Sequence, residues 1–426
     1  MNDFPVRRNT VLLAAAMAMQ SATFQLSAAM SSITFVLVTG ISSLLGLGPA
    51  LTMVAAALTA LPAGRLMDRI GRIPVLAGGF FAGALGTALM GLGARNHSSL
   101  AAIPGFILLG AAGATGQLAR AAAGDMYPPE RRARGITYVL FGSVFGAILG
   151  PLVFGPTLRG RELSAETLVL PWLVATGLML IAAVIVINIR PDPKRIAESI
   201  EAARGILPAA ALSPAVPLTE ILRRPGVAMA VISGVASFAT MAAVMNLTGY
   251  VVVQQHHHPQ HLVFPIIGAH VLGMYMLMPA VGWIVDRAGR LRTMASGLAV
   301  LAVSTAGLTW FESVIPVAVL LFGLGLGWNF SFVAATSQLA DLAAPTERGK
   351  LLGFNDFIAG LSGAVLVVLG GFVLDDFGVA ALALGASTVA LAPIAFILVS
   401  GRRMAFRNSR RTGSHSGNSG ESTSGR

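Results

Sequence analysis

GRLMDRIGRIPVL, residues 64–76, and GWIVDRAGRLRTM, residues 282–294, are two copies of one thirteen-residue pattern. Gly64, Asp68, Arg69, Gly71 and Arg72 of the first copy return as Gly282, Asp286, Arg287, Gly289 and Arg290 in the second. The copies begin 218 residues apart in a chain of 426. Each lies where one long apolar run stops and the next starts. A charged loop repeated at half the chain length, between apolar runs, predicts a duplicated helical bundle in a membrane.

The composition around the two loops agrees. The chain is 55% hydrophobic and 11% charged, with a mean hydropathy of +0.77. Soluble domains carry about 25% charged residues, so too little charge is present to cover a water-soluble surface of this size. Crossing a hydrocarbon core takes roughly 20 helical residues. Runs of that length predict twelve helices, near 10–38, 44–64, 73–93, 99–124, 134–156 and 168–189, then 226–252, 262–284, 291–310, 314–340, 350–373 and 379–400. Helices are expected rather than barrel strands because the runs are long and do not alternate. Arg7 and Arg8 precede a run too long for a signal peptide, so it reads as a retained first helix.

Lys and Arg set the orientation. Twenty-five of the 29 fall in the termini and in alternate loops, three (Arg95, Arg159, Arg161) fall on the opposite side, and Arg120 lies within a span. Both termini are therefore expected in the cytoplasm, with the chain in the plasma (inner) membrane. The net charge of +11 reads as a topology signal, and no nucleic-acid partner is expected. The expected organisation is a six-helix bundle over 1–190, a cytoplasmic linker over 191–225, a second bundle over 226–400 and a disordered basic tail over 401–426. PDPKRIAESIEAARG, from Pro191, is expected to form a short surface helix in the linker. The chain has no cysteine, which removes disulfides, thiolate metal sites and Cys nucleophiles. HHHPQH at 256–261 carries four histidines, but Pro259 interrupts any regular face and no acidic partner accompanies them. It reads as a solvated outer loop, with no metal and no cofactor expected.

The repeat extends further. Asp125 and Asp341 each end the fourth helix of their half, followed by Glu130-Arg131 and Glu347-Arg348. With these loops the chain resembles the major facilitator superfamily, whose signature G-x-x-x-D-R-x-G-R is present in both halves. The resemblance covers about residues 10–400 and implies an all-α membrane fold. In that fold two pseudo-symmetric six-helix bundles enclose a cavity that opens alternately to either side. It also implies a latch: Asp68 facing the start of the eleventh helix, with Arg69 and Arg72 in a charge network with Asp125. By pseudo-symmetry Asp286 would face the fifth helix, with Arg287 and Arg290 meeting Asp341. Gly64, Gly71, Gly282 and Gly289 are expected to permit the tight turns. Gly146, Gly150 and Pro151 in GAILGPLVFGP resemble the family's antiporter stretch, although Phe154-Gly155 replaces its double glycine.

Ionisable groups within spans cost about 2.5–3.5 kcal/mol on insertion scales, so each is a candidate for function. Arg120, Asp356 in GFNDF and His270 in GAHVLGMY are the candidates for proton coupling. Candidate cavity residues are Gln20, Gln25, Gln117, Asn246, Tyr250, Trp328, Asn329 and Asn355, with Met241, Met245, Met274, Met276 and Met278 as an adaptable apolar wall. The expected function is secondary transport of a small organic solute by a monomer, as proton-coupled efflux. The alternative is proton symport or uniport of a polar or anionic metabolite. No catalytic constellation is visible, so no enzyme activity is expected.

Overall fold

The computed structural model describes residues 5–128, 131–203, 216–344 and 347–413. Its first half comprises α1 (Val6–Thr39), α2 (Leu47–Ile70), α3 (Arg72–Asn96), α4 (Ser99–Gln117), α5 (Ala119–Asp125), α6 (Arg132–Leu158) and α7 (Val169–Ile187). Two short helices follow in the linker, α8 (Pro193–Ala203) and α9 (Leu218–Leu222). The second half comprises α10 (Val227–Tyr250), α11 (Val263–Tyr275), α12 (Met278–Ala288), α13 (Arg290–Gly307), α14 (Val314–Leu342) and α15 (Arg348–Gly413).

Among the described residues, nine helical stretches are long and apolar enough to cross a membrane, and a tenth is a pair bent by 48° between Tyr275 and Ala280. One of the nine, Arg348–Ile397, has 50 residues and would be about 75 Å long if straight. It is broken at Gly378, whose φ of 78° is not helical, so it supplies two crossings. With α13, 18 residues long, the arrangement agrees with the twelve expected spans. The expected fourth span is itself interrupted at Leu118, between α4 and α5.

Small residues set the packing inside each half. Gly86 on α3 faces the Gly105 carbonyl of α4, and Gly325 on α14 faces the His270 carbonyl of α11. A side chain at either place would strike backbone, so these pairs can lie close only as glycine. The same rule explains the Gly-rich stretch of α6. Gly142, Gly146 and Gly150 lie against Ala14, Ser21 and Gln25 of α1, and Gln25 Nε2 donates to the Gly146 carbonyl at 2.6 Å.

The halves pack together mainly toward one end. The face carrying the two repeated loops is called here the latch face, and the other the far face. Toward the far face, one apolar core runs through both halves, from Leu26 and Phe154 to Phe264 and Trp328. Toward the latch face the cores are separate, one around Met67, Phe80 and Met126 and the other around Val285, Met294 and Leu351. The α2–α15 seam shows where they part. Gly46 lies against Val367, Gly363 against Met53, and Gly360 against Ala57 at 3.4 Å. Two turns further toward the latch face, on the same helix sides, Gly64 and Gly353 have nothing within 4 Å. The far face is sealed by Phe154 stacked on Phe264 at 5.7 Å, and by Gln260 Nε2 donating to the Arg161 carbonyl at 3.1 Å. The molecule is open on its latch face.

The linker helix α8 forms as expected, and residues 204–215 lie outside the described residues. The tail differs from expectation: the backbone is helical over 401–413, and 414–426 lie outside the described residues. This helix continues the register of the last span.

Candidate functional site

Both repeated loops build the same charge network. In the first, Arg72 joins α2 to α5: Nη1 lies 2.5 Å from Asp68 Oδ1 and Nε lies 2.6 Å from Asp125 Oδ2. In the second, Arg290 Nη1 lies 3.2 Å from Asp286 Oδ1 and its Nε 3.0 Å from Asp341 Oδ2. A guanidinium suits this work because its planar fork holds two carboxylates at once. The helices are short enough to meet here because Gly71 and Gly289, at φ 108° and 88°, turn the chain between them. Gly64 and Gly282 do not turn the chain. Both lie inside helices with nothing within 4 Å, which corrects the expectation that all four glycines do so.

The latch expected across the halves is not engaged. Asp68 and Asp286 are 70% and 74% exposed, and each pairs with the arginine of its own loop. The physical reason is the separation of the halves at this face. Arg69 makes no ion pair among the described residues, and Arg287 lies over the Trp283 ring at 5.2 Å. Glu130 lies outside the described residues.

Two anchoring groups had no signal in the repeat. Asp192, just before α8, accepts from the first amides of α3: Oδ1 from Arg72 N at 3.1 Å and Oδ2 from Ile73 N at 2.9 Å. A carboxylate at a helix N-terminus satisfies unpaired donors and offsets the dipole. Lys194 Nζ adds a bond to the Asp68 carbonyl at 2.7 Å. Where the linker ends, Arg224 grips Glu347 with Nη1 and Nη2, at 2.6 and 2.8 Å. That clamp and the Ala344 amide hold the Glu347 carboxyl well below the usual range, at about 2.

The halves do meet through charge at one place nearer the centre. Arg120 Nη2 on α5 lies 3.5 Å from Asp356 Oδ2 on α15, with the side chains 42% and 44% exposed. Two groups that sequence reading treats separately thus form one ion pair across the seam. Further in from the pair is an aromatic panel, which Arg120 reaches electrostatically through Tyr275. Trp328 and Phe332 of α14 stack with ring centres 4.9 Å apart and planes 17° apart, and Tyr275 of α11 meets Trp328 edge-on at 6.4 Å. Tyr275 lies within electrostatic reach of Arg120. Trp328 is 7% exposed and its Nε1 has no partner among the described residues.

Several expected site residues lie elsewhere. His270 is fully buried, with Nδ1 2.9 Å from the Leu321 carbonyl. It serves the α11–α14 contact and has no place in the cross-half pair. Gln20 donates to the Ala112 and Gly113 carbonyls and Gln25 to Gly146. Both tie α1 to neighbours within the first half rather than lining open space. Asn329 and Asn355 are buried in the second half, and Asn355 lies beside Gly234 of α10. Asn246 bonds back to Ala242, while its carbonyl accepts from Ser32 Oγ of the first half at 3.0 Å. Tyr250 packs in the apolar core toward the far face. Gln117 remains exposed, beside the break at Leu118.

On the far face, a cavity of about 490 Å³ opens between residues 158–163 of one half and 253–261 of the other. The His-rich loop forms one of its walls. His258 Nε2 sits 2.9 Å from the Glu312 carbonyl. Burial holds His256 below the ordinary imidazole range, against the opposing pull of Glu312. Among the described residues no group of three or more His, Cys, Asp or Glu is placed to hold a metal.

Two helical bundles with a duplicated charged loop, joined at one face and apart at the other, define a polytopic membrane transporter. The sequence profile of the Major Facilitator Superfamily matches residues 10–327 and 253–420, and the chain belongs to that superfamily. It is 31% identical over 361 residues to the uncharacterized MFS-type transporter YdeG of Bacillus subtilis, covering 83% of each chain. It is 28% identical over 359 residues to the riboflavin transporter RfnT of Brucella anthropi, covering 83% of this chain and 85% of that one. In fold it is similar to the xylose transporter XylE of E. coli, with a TM-score of 0.67 at 14% identity over 92% of this chain and 97% of that one.

Proposed function

We propose that this chain carries a small organic solute together with, or against, a proton, and that the Arg120–Asp356 pair couples the two. The supporting observation is that this ion pair joins the halves beside their open seam, 3.5 Å apart and half exposed. Protonation would neutralise Asp356, release Arg120 and remove the attraction between α5 and α15. Arg120 is the charged group facing Asp356 from the opposite half, and Tyr275 on α11 lies within electrostatic reach of that Arg120. Losing one cross-half attraction biases a two-state bundle, as alternating access requires. In this reading the latch face is cytoplasmic, the membrane is the plasma membrane and the working unit is a monomer.

Efflux is the first direction proposed, on the Gly-Pro stretch of α6. Its glycines have a sufficient role in packing α1, so symport is carried as the second reading.

The test uses the absence of native cysteine. A Gly353→Cys variant in vesicles is labelled with maleimide across pH 5–8. Its labelling rate is taken at each pH relative to the same cysteine in the unfolded chain, because thiolate supply alone raises maleimide labelling with pH. That ratio is expected to change several-fold, and adding Asp356→Asn to hold it at one value. An undiminished pH response in the double variant would show that another group couples the proton.

A further inference from the structure

We propose that the solute is a planar aromatic anion, its ring laid along the Tyr275–Trp328–Phe332 panel and its carboxylate held by Arg120. The inference rests on the transport reading above and names the class of solute for that same site. Three observations converge on it.

The first is the panel. Two rings of α14 lie nearly parallel, 4.9 Å apart, and a third from α11 stands against them edge-on. Such a surface attracts a flat π-system at its free edges through offset or T-shaped contacts, and attracts a saturated ring far less.

The second is an unused donor. Trp328 is 7% exposed, yet its Nε1–H has no acceptor among the described residues. Buried indole N–H groups ordinarily find a partner. An acceptor atom on the incoming ring system or its substituent supplies one.

The third is the state of Arg120. Its contact with Asp356, at 3.5 Å, is longer than a charge-assisted hydrogen bond of about 2.7–2.9 Å. Both side chains are nearly half exposed, so the pair is accessible to a competing carboxylate. A guanidinium binds such a group through two parallel N–H bonds. Arg120 is also the one Lys or Arg that sequence reading places within a span. The panel recognises the ring, and the cation within electrostatic reach of Tyr275 recognises the charge.

The probes are 2-naphthoate, cyclohexanecarboxylate and 2-naphthylmethanol, titrated calorimetrically into the purified full chain. They separate ring from charge. Saturable binding of 2-naphthoate is expected, with the saturated acid and the neutral alcohol each at least 10-fold weaker. Trp328→Ala should weaken 2-naphthoate at least 10-fold, whereas Trp328→Phe, which keeps a flat ring but loses the Nε1–H donor, should weaken it by less than Trp328→Ala does. Arg120→Gln should weaken 2-naphthoate and leave the alcohol unchanged. Equal binding of the saturated acid, no saturable 2-naphthoate binding, or an unaffected Trp328→Ala variant overturns the proposal. The pH response of Gly353→Cys labelling keeps the two readings apart. If it persists while naphthoate fails, the solute class alone is wrong; if it is lost in the unmodified site, the coupling reading falls.

Discussion

The two repeated loops make the same bonds in different surroundings. Arg72 is 16% exposed and its partner Asp125 21%, while Arg290 is 30% exposed and Asp341 55%. The cause is the linker. Asp192 caps α3 beside Arg72, Lys194 reaches Asp68, and Ile196 of α8 is buried in the first half's latch-side core. Ile221 of α9 is buried in the second half's core, but among the described residues no linker group bonds to the second loop, and its Arg287 lies on Trp283 instead. A duplicated sequence therefore yields unequal halves: one latch is built into a covered framework, and the other stands in solvent. Charge pairs gain strength as water is excluded from them, so the first loop should be the stiffer of the two.

The sharpest way to break this comparison is to remove each central arginine. Arg72→Ala leaves two carboxylates facing each other, one of them largely covered. It should cost about 2–3 kcal/mol, the scale of lost hydrogen bonds to charged groups. Arg290→Ala should cost about 0.5–1 kcal/mol, as exposed pairs do. Thermal unfolding in detergent measures both, and equal losses would show that linker cover is irrelevant.

A smaller effect isolates the linker itself. Asp192→Ala removes the acceptor of the first α3 amides and should cost about 1 kcal/mol, typical of a lost N-cap. It should also reduce the difference between the two arginine variants. If Arg72→Ala remains as costly in the Asp192→Ala background, the cap and the latch are independent.

The smallest effect concerns the linker's other anchor. Glu347 sits at about 2 in the folded chain against an ordinary 4.5. A carboxyl held low in the folded state stabilises it above the unfolded value and loses that contribution as pH falls. The contribution should be complete above about pH 4.5 and fade toward pH 2. The melting curve of Glu347→Gln should therefore approach that of the unmodified chain in acid and lie below it at neutral pH. A constant gap across that window would mean that the clamp to Arg224 acts through shape rather than charge.

Much of the architecture was legible in the chain because membrane physics leaves few solutions. Every span must satisfy its own backbone, so apolar runs between charged loops read directly as helices. The latch arginines were legible for a different reason: Gly, Asp and Arg recur at the same offsets in both loops, although Gly71 and Gly289 break the helix between each carboxylate and its arginine. Asp192 and Arg224 were not, since each binds a group more than 100 residues away and nothing in their local spacing marks them. The polar residues of α1 misled in the other direction. Gln20 and Gln25 have the composition of cavity residues, but each donates its amide N–H to a backbone carbonyl of a neighbouring helix. His270 likewise has one ring nitrogen against a neighbouring helix's carbonyl.

By itself the sequence determined the number of apolar runs, their duplication, the loops that carry charge and the family to which the chain belongs. These are properties of composition and period, and each is set by a residue's own neighbours along the chain. Only the tertiary structure decided that Arg120 meets Asp356, that the two latches differ in cover, and that the halves touch at one face and part at the other. Those facts depend on how close helices from different halves approach. Small residues spread over both halves set that distance, and no local stretch of sequence encodes it.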